Sequence, residues 1–322
     1  MSLLDRLQEM TVIVADTGDI ESIRRHRPRD ATTNPSLLLA AARMPQYRHL
    51  VEAALAGCSS APSCSTSDRR DCLEKLSVNF GREILGIIPG RVSVEVDASL
   101  SFDAAGTLAA ARRLISLFEA SGIARERVLI KIAATWEGIT AARQLEREEI
   151  RCNLTLLFSF AQAAACAEAG VRLISPFVGR ILDWHQAQLG VEKIPPTEDP
   201  GVASVQRIYN YYRCLGYETE VMGASFRNIG EILELAGCDL LTISPQLLRE
   251  LESRDGDLPR RLDPGRAREM DLERVILDEK EFRWLLNEDA MATEKLSEGI
   301  RKFHADTLLL LDYLEGLLAE RS

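Results

Sequence analysis

The chain has 322 residues, of which 46% are hydrophobic and 27% are charged, proportions typical of a globular protein with a sizeable core. Its formal net charge is −10, so the chain as a whole lacks the basic surface that binds nucleic acid or anionic lipid. A site for a small anion is still compatible with this charge, because a few arginines dominate the field at short range.

The start of the chain contains acidic side chains and lacks the basic residues and continuous apolar core of a secretory signal. No stretch of the sequence is apolar for long enough to cross a bilayer. We therefore expect a cytoplasmic protein with no membrane partner. The seven cysteines, including Cys58, Cys64 and Cys72, form no C-x-x-C pair, and we expect free thiols rather than a zinc site or disulfides.

Eight short β-branched or apolar runs recur along the chain, and each is followed by a segment of helical character. The runs span residues 11–16, 30–34, 92–97, 128–133, 151–157, 171–177, 219–225 and 239–244. This order favours an α/β fold of the closed (β/α)8 TIM-barrel type over an open doubly wound sheet, which has about five or six strands and a glycine-rich first turn. We expect one barrel domain over residues 1–322, with additional N- and C-terminal helices.

Helix signals between the runs agree with this order. Residues 102–122 carry an apolar stripe at helical spacing. Ser159 and Gln162 match a capping box after the fifth predicted strand, and Pro35 followed by Ser36 is typical of a helix start after the second. Local and global patterns therefore predict the same fold.

The last part of the chain predicts a long helix. Apolar residues between 291 and 320 fall near one face, so we expect this helix to cover the barrel or a partner subunit. Residues 254–278 are charged and interrupted by proline and glycine, which predicts an exposed connection of undefined shape.

Polar residues recur at positions where a barrel interior is usually apolar. Strand side chains alternate, so valines 92, 94 and 96 are expected to face the outer helices and Glu95 to face inward. The seventh run is assigned an inner face of Val221, Gly223 and Ser225. Polar inward positions in the other runs are Asp16, Asp30, Thr32, Asn34, Glu95, Lys131, Asn153, Thr155 and Ser175. Most lie toward the carboxyl ends of the strands, where barrel enzymes have their active sites.

Lys131 in the run "VLIKIA" needs an explanation, because burying an ammonium costs several kcal/mol unless the charge is paired or lost. One interpretation is a structural ion pair with Glu95 or Asp16. The other is a lysine that burial favours in its uncharged form, which attacks a carbonyl and forms a Schiff base. The resulting iminium withdraws electrons and allows a carbon–carbon bond to break without a metal.

The nearby acids have two interpretations as well. Asp16, at a strand end, is typical of a helix cap, and Glu95 of an ion-pair partner. Beside a buried lysine, however, both suit the proton transfers of imine chemistry, and Thr155 is placed to hold a catalytic water.

Two arginines follow strands at the same end of the predicted barrel. Arg180 comes after the sixth strand and Arg227 after the seventh. Either alone is most often a surface residue, but together with Ser225 at a predicted helix start they favour a phosphate site. The four histidines are far apart in sequence, so we expect neither a metal nor another cofactor.

Long blocks of the sequence resemble the transaldolase family, and the resemblance covers nearly the whole chain. The blocks are "VADTGD" (14–19), "DATTNPSL" (30–37), "EVDASLSFD" (95–103), "LIKIAATWEGI" (129–139), "CNLTLLFSFAQA" (152–163), "LISPFVGRILDWH" (173–185) and "VMGASFRNIGEI" (221–232). The resemblance implies a Schiff-base transferase of the pentose phosphate pathway, commonly a homodimer. Such enzymes move a dihydroxyacetone unit from sedoheptulose 7-phosphate to glyceraldehyde 3-phosphate, giving erythrose 4-phosphate and fructose 6-phosphate.

The resemblance also implies a role for each matching residue. Lys131 forms the Schiff base, Glu95 and Thr155 act with a water during imine formation, and Asp16 takes the hydroxyl proton when the carbon–carbon bond breaks. Asn34, Asn153 and Ser175 then bind the dihydroxyacetone hydroxyls. The substrate phosphate is bound by Arg180, Ser225 and Arg227.

Phe177 separates two activities within this resemblance. An apolar side chain near the catalytic water favours transfer over hydrolysis, whereas tyrosine here would suggest a fructose 6-phosphate aldolase. The alternatives are an aldolase that releases free dihydroxyacetone, a sugar-phosphate-binding regulator without turnover, and a metal-dependent aldolase.

Overall fold

The computed structural model describes residues 1–56, 58 and 66–320. Eight parallel strands pair in sequence order, and the last pairs with the first to close a barrel. The strands are β1 (Val12–Asp16), β2 (Asp30–Thr32), β3 (Val92–Glu95), β4 (Val128–Ala133), β5 (Cys152–Leu157), β6 (Leu173–Pro176), β7 (Glu220–Gly223) and β8 (Leu240–Ile243). The (β/α)8 prediction is confirmed, and each strand lies within its predicted run.

Helices surround the barrel and extend it at both ends. Those in the described residues are α1 (Leu3–Gln8), α2 (Ile20–His26), α3 (Pro35–Ala42), α4 (Arg48–Leu55), α5 (Thr66–Leu85), α6 (Ala104–Ala120), α7 (Trp136–Arg147), α8 (Phe160–Glu168), α9 (Gly179–Leu189), α10 (Pro200–Cys214), α11 (Ile229–Glu234), α12 (Pro245–Glu252), α13 (Pro264–Arg268), α14 (Glu279–Glu288) and α15 (Ala290–Ala319). None of the helices in these ranges is both long and apolar enough to cross a membrane.

The predicted helix signals are confirmed. Ser159 and Gln162 form a reciprocal capping box at the start of α8. Helix α3 begins at Pro35, and its N-cap is Asn34, whose side chain accepts a hydrogen bond from the backbone N–H of Leu37. These bonds satisfy backbone donors that a helix start would otherwise leave without partners. They also fix the point at which each chain segment leaves the barrel.

The lower half of the barrel interior, toward the amino ends of the strands, is apolar. Val14, Leu129, Leu173, Met222 and Leu240 pack together there, each from a different strand. Interdigitated side chains of this kind fill the barrel and leave no through-channel. Functional polar groups are therefore confined to the upper half, at the carboxyl ends of the strands.

The predicted inner face of the seventh run was wrong in phase. Met222 points into the barrel, whereas Val221 packs with the outer core. A Cβ on Gly223 would lie 2.8 Å from Leu241 Cδ2, a side chain of the same outer core. Ser225 nevertheless reaches the interior, because β7 ends at Gly223 and Ser225 has a left-handed backbone with φ of 64°. Alternation fails once the chain has left the strand.

Charged residues close the opposite, amino-terminal end of the barrel. Arg91 donates to Asp30 Oδ2 from both Nε (3.1 Å) and Nη2 (2.9 Å), and its Nη1 lies 2.7 Å from Glu220 Oε2. The Asp30 side chain is only 4% exposed. A buried carboxylate needs such a partner, so this network stabilises the fold far from the upper half.

The C-terminal helix α15 lies across the carboxyl end of the barrel. Its residues Leu296, Ile300 and Phe303 pack with Leu156 and Phe177, which come from the barrel strands and their loops. Of the two predicted positions, over the barrel or against a partner, the structure shows the first.

The region 254–278 is mostly irregular and exposed, as predicted, but it contains the short helix α13 and is anchored at several points. Leu262 and Ala267 are buried, and the backbone N–H of Arg261 donates to Ala236 O at 2.8 Å. Arg274 forms an ion pair with Glu168.

The prediction that the cysteines are free thiols was wrong for one pair. Cys58 follows α4 and Cys72 lies in α5, and the packing of these two helices brings their Cα atoms to 6.3 Å, where they form a disulfide. Sequence spacing alone did not reveal this contact. Cys64 lies outside the described residues, and the four remaining cysteines are free.

Candidate active site

Strand register places the central polar groups side by side. Lys131 pairs in register with Glu95 on β3 and with Asn153 on β5. Two residues further along, Ala133 is level with Thr155. Because neighbours in register point to the same side of a sheet, these side chains converge inside the barrel. The inward assignments of Glu95, Lys131 and Thr155 are confirmed.

A cavity of about 260 Å³ opens above this layer, at the carboxyl ends of the strands. Nine of the eleven predicted site residues line it: Asp16, Asn34, Lys131, Thr155, Ser175, Phe177, Arg180, Ser225 and Arg227. The other two lie in adjoining positions. Glu95 lines a neighbouring cavity and contacts Lys131, while Asn153 is fully buried behind Ser175.

Lys131 is buried, with 4% of its surface exposed. Its Nζ lies 3.2 Å from Glu95 Oε2 and donates to the backbone oxygen of Thr33 at 3.3 Å. The ring of Phe303 lies 5.8 Å from the same nitrogen. The ion pair with Glu95 is therefore present, yet it borders a cavity large enough for a small molecule. A purely structural pair does not require such an opening.

The two candidate acids share one electrostatic pattern. Burial raises the pKa of both Asp16 and Glu95, and the positive charges of Lys131 and Arg180 oppose this shift. Asp16 is not a helix cap, because the N-cap of α2 is Asp19. Raised carboxyl pKa values inside a cleft are typical of groups that exchange protons.

Several buried hydroxyls at the cavity have no hydrogen-bond partner among the described residues. They include Thr155 Oγ1, together with the hydroxyls of Thr32 and Thr242. All three residues line the cavity, and Thr155 is fully buried. Since buried polar atoms are nearly always paired in folded proteins, unpaired ones that share a cavity indicate a place for a polar ligand or water.

Amide and hydroxyl groups form a fixed set next to the lysine. Ser175 Oγ donates to Asn153 Oδ1 at 2.6 Å, and Asn153 Nδ2 donates to Ser93 Oγ at 3.0 Å. Both atoms of the Asn153 amide are therefore bonded to protein. Ser175 projects into the cavity, and Asn153 holds it from behind.

Aromatic rings surround Arg180, which lies in the first turn of α9. Its guanidinium is 4.9 Å from the ring centre of Phe177 and 5.6 Å from that of Phe303. Burial and the nearby charge of Arg227 lower the pKa of Arg180. The charges of two neighbouring arginines repel each other, so an anion that binds between them is favoured.

Arg227 is held from one side by Asp183 of α9. Its Nε lies 3.0 Å from Asp183 Oδ1, and its Nη2 lies 2.6 Å from Oδ2. The remaining nitrogen, Nη1, lies 3.4 Å from Ser225 Oγ. The predicted helix start at Ser225 was wrong, because α11 begins at Ile229 with Asn228 as its N-cap. Ser225 and Arg227 belong to the loop before it.

Some cavity residues did not emerge from the sequence. Phe303 comes from α15, Thr242 comes from β8, and Ser244 directly follows β8. Alternation along the eighth run was a usable signal for Thr242. No local pattern distinguishes Phe303 from the other apolar residues on its helix face.

Comparison with known proteins connects this geometry to a family. The model of the Transaldolase/Fructose-6-phosphate aldolase family matches residues 13–314, which include the barrel from the second residue of β1 onward and most of α15. The chain belongs to this family. It is 57% identical over 323 residues to the transaldolase of Methylococcus capsulatus, covering 99% of this chain and 97% of that protein.

The likeness extends to animal proteins. The chain is 59% identical over 321 residues to the transaldolase of Sus scrofa and 57% identical over 321 residues to that of Homo sapiens. In both cases the match covers 99% of this chain and 94% of the relative. The resemblance identified from the sequence blocks is thus confirmed, and the chain is an enzyme of this family.

Proposed function

We propose that this enzyme is a transaldolase in which Lys131 forms a Schiff base with the donor ketose. It is a transferase that moves a dihydroxyacetone unit from sedoheptulose 7-phosphate to glyceraldehyde 3-phosphate. The observation that carries the proposal is a buried lysine at the floor of a cavity with two acids, unpaired hydroxyls and two arginines around it. Lys131 supplies the amine that attacks the ketose carbonyl, and the iminium product is an electron sink.

Proton transfer is assigned to the groups nearest the lysine. Glu95, 3.2 Å from Nζ, exchanges protons with the amine and the carbinolamine oxygen, and Thr155 orients the water that takes part. Asp16 lies on the cavity wall. It removes the proton from the hydroxyl on the carbon that leaves as the aldehyde when the carbon–carbon bond breaks. The bonding electrons pass to the iminium, which becomes an enamine held on Lys131.

Substrate contacts follow the position of each group in the cavity. Asn34 and Ser175 hydrogen-bond the dihydroxyacetone hydroxyls, and Asn153 positions Ser175. Arg180, Arg227 and Ser225 lie together at one side of the cavity and bind the phosphate. This placement separates the reacting carbons from the charged end of the sugar.

Phe177 supports transfer over hydrolysis. The side chain is 94% buried, packs edge-on against Phe158 at 5.4 Å, and lines the cavity beside Arg180. An apolar wall there offers no hydroxyl to orient a water toward the enamine, so the three-carbon unit waits for an aldehyde acceptor.

An assay with and without the acceptor tests this function. With fructose 6-phosphate as donor, turnover should require erythrose 4-phosphate, and Lys131→Met should lower kcat by at least about 1,000-fold. Lys295→Met is a matched control, since Lys295 pairs with Glu298 on α15 and should be dispensable. Wild-type rates in Lys131→Met would refute the mechanism, and acceptor-independent release of dihydroxyacetone would favour an aldolase.

Two further features remain proposals that rest on the family resemblance. We propose a homodimer that works in the cytoplasm. Light scattering should give about twice the chain mass of 35.8 kDa. A monomeric mass at assay concentration would exclude the dimer.

A further inference from the structure

Two buried acids lie beneath the loop that carries Arg227. Glu231 of α11 is 0% exposed, and Asp199, just before α10, is 1% exposed. No sequence pattern distinguishes either acid. Carboxyl groups are seldom fully buried, and two of them side by side are rarer, because ionising both places like charges close together in a low dielectric. The burial of this pair therefore requires a structural or functional explanation.

Each acid holds backbone N–H groups with one of its oxygens. Glu231 Oε2 accepts from the backbone N–H of Arg227 at 2.7 Å. Asp199 Oδ1 accepts from the N–H groups of Gly201 at 2.7 Å and Val202 at 3.3 Å. Glu231 therefore fixes the loop that carries Arg227, and Asp199 fixes the start of α10.

The start of α10 in turn supports the segment that carries Arg180. A Cβ on Gly201 would lie 2.3 Å from Val178 O, and the N–H of Gly179 donates to Ser225 O at 2.8 Å. Both arginine-bearing segments thus rest on the same buried pair. A shift of either acid would be transmitted to the guanidinium groups above it.

The remaining oxygens, Asp199 Oδ2 and Glu231 Oε1, are buried and have no protein donor among the described residues. The two carboxyl groups are close enough that the charge of each acts directly on the other. Ionised carboxylates only accept hydrogen bonds, so the two free oxygens can satisfy each other only if one of the acids carries a proton. Burial raises the pKa of both groups, that of Glu231 to about 7. The shared proton is therefore lost as the pH rises through neutrality.

We propose that Asp199 and Glu231 share one proton and thereby hold Arg227 and Arg180 in the geometry that binds phosphate. The inference rests on the proposed role of these arginines and adds two positioning residues to it. Loss of the proton leaves two adjacent buried negative charges, which repel each other and loosen the Arg227 loop. Phosphate binding then weakens above neutral pH, while the chemistry at Lys131 is untouched.

Other charges near the pair do not provide the same control. Among the groups outside the pair, Arg227 and His185 have the strongest charge interactions with it. Ionisable residues on the surrounding elements occupy exposed or half-buried positions: Asp183, Glu198, Arg207, Glu234, Arg249 and Glu250. Solvent screens these more strongly than it screens the pair.

The Glu231→Gln variant tests the role of the shared proton, because glutamine has the same shape but does not titrate. Its amide oxygen can still accept from Arg227 N–H, and its NH2 group can donate to Asp199 at every pH. Between pH 6.5 and 8.5, KM for fructose 6-phosphate should rise about threefold more in the wild type than in Glu231→Gln, with kcat profiles alike. The titration of the substrate phosphate is common to both enzymes and cancels. Glu234→Gln, on the same helix and paired with Arg261, should follow the wild type.

The possible outcomes are distinct. Superimposable KM profiles for the wild type and Glu231→Gln would overturn the inference. If Arg227→Ala leaves KM unchanged, the proposed phosphate site itself is wrong. Should Glu231→Gln fail to fold, Asp199→Asn serves in its place, since its amide donates to Glu231.

A measurement on the wild type needs no variant. Sulfate does not titrate near neutrality, so calorimetry of sulfate binding at pH 7.5 in two buffers of different ionisation enthalpy reports the protein's own proton uptake. By linkage, binding should take up on the order of half a proton. No uptake would contradict the shared proton.

Discussion

At the scale of single residues, Asp16 offers a direct view of the site's electrostatics. Burial raises the pKa of this carboxyl, and the charges of Lys131 and Arg180 lower it. In the proposed mechanism Asp16 accepts a proton only when it is ionised. As the pH falls, Asp16 is protonated at a higher pH than an ordinary aspartate, and kcat should fall with it.

Removing Arg180, one of the two cations near Asp16, should change the pH at which kcat falls on the acid side, the acid limb of the pH profile. In Arg180→Ala, the acid limb of kcat at saturating substrate should shift to higher pH by up to about one unit. Arg227→Ala is the matched control, because Arg227 also lies in the phosphate region but is not one of the cations acting on Asp16. An identical acid limb in Arg180→Ala and the wild type would contradict this electrostatic account.

Sequence alternation was sufficient for the inward residues of regular strands and failed elsewhere. Glu95, Lys131 and Thr155 were found because polar side chains interrupt apolar runs with a period of two. Asp183 and Phe303 could not be found, since their contacts with Arg227 and Lys131 join segments distant in sequence. In the seventh run the parity was wrong for Val221 and Gly223, and Ser225 reaches the cavity because the chain turns left-handed after β7.

At the scale of elements, α9 packs against the loop after β7 through a glycine. A Cβ on Gly179 would lie 2.4 Å from Ser225 O and 2.7 Å from Arg227 Cγ. The first atom is backbone and cannot move alone, so Gly179→Ala should displace the loop. We expect KM for phosphorylated substrates to rise about tenfold, with stability lowered by about 1–3 kcal/mol.

The control for this variant is Gly316→Ala in α15. An added Cβ there meets no atom within 4 Å, and alanine is the better helix former. Steady-state kinetics and urea unfolding of both variants provide the comparison. A Gly179→Ala enzyme with unaltered KM would show that loop position does not govern phosphate binding.

Element boundaries were predictable where local chemistry defines them. The capping box at α8 and Pro35 at the start of α3 each satisfy backbone donors, so their sequence patterns identified helix starts. The position of α15 over the barrel was left open, because an apolar stripe does not say which surface covers it. The Cys58–Cys72 disulfide likewise depends on the packing of α4 against α5.

At the scale of the whole molecule, one end of the barrel contains the active site and the other contributes to stability. The network of Arg91, Asp30 and Glu220 closes the end opposite the cavity. Arg91→Met should leave the buried Asp30 charge without its main partner and lower the free energy of unfolding by about 3 kcal/mol. Because this end is remote from Lys131, kcat at 25 °C should change little.

Urea denaturation checks this division when Arg112→Met is measured in parallel. Arg112 forms an exposed ion pair with Glu148, which solvent screens, so its loss should lower the free energy of unfolding much less than Arg91→Met does. Equal losses of unfolding free energy in the two variants would mean that the buried Arg91 network stabilises the fold no more than an exposed ion pair does. A single unfolding transition would also support the prediction of one domain.

The order of strands and helices was predictable because each unit has its own periodicity and cap. Closure was inferred from the number of units, and the pairing of Val12 with Leu240 confirms it. What the pattern could not provide was the depth of the cavity or the closeness of Asp199 to Glu231, because these depend on contacts between segments distant in sequence.

The central claim is that one buried amine forms a covalent bond with the donor sugar. Incubation with fructose 6-phosphate, reduction by borohydride and peptide mass spectrometry test it most directly. A single modified peptide carrying its adduct on Lys131 is the predicted result, absent without sugar and in Lys131→Met. An unmodified Lys131, or an adduct on another lysine, would contradict the account.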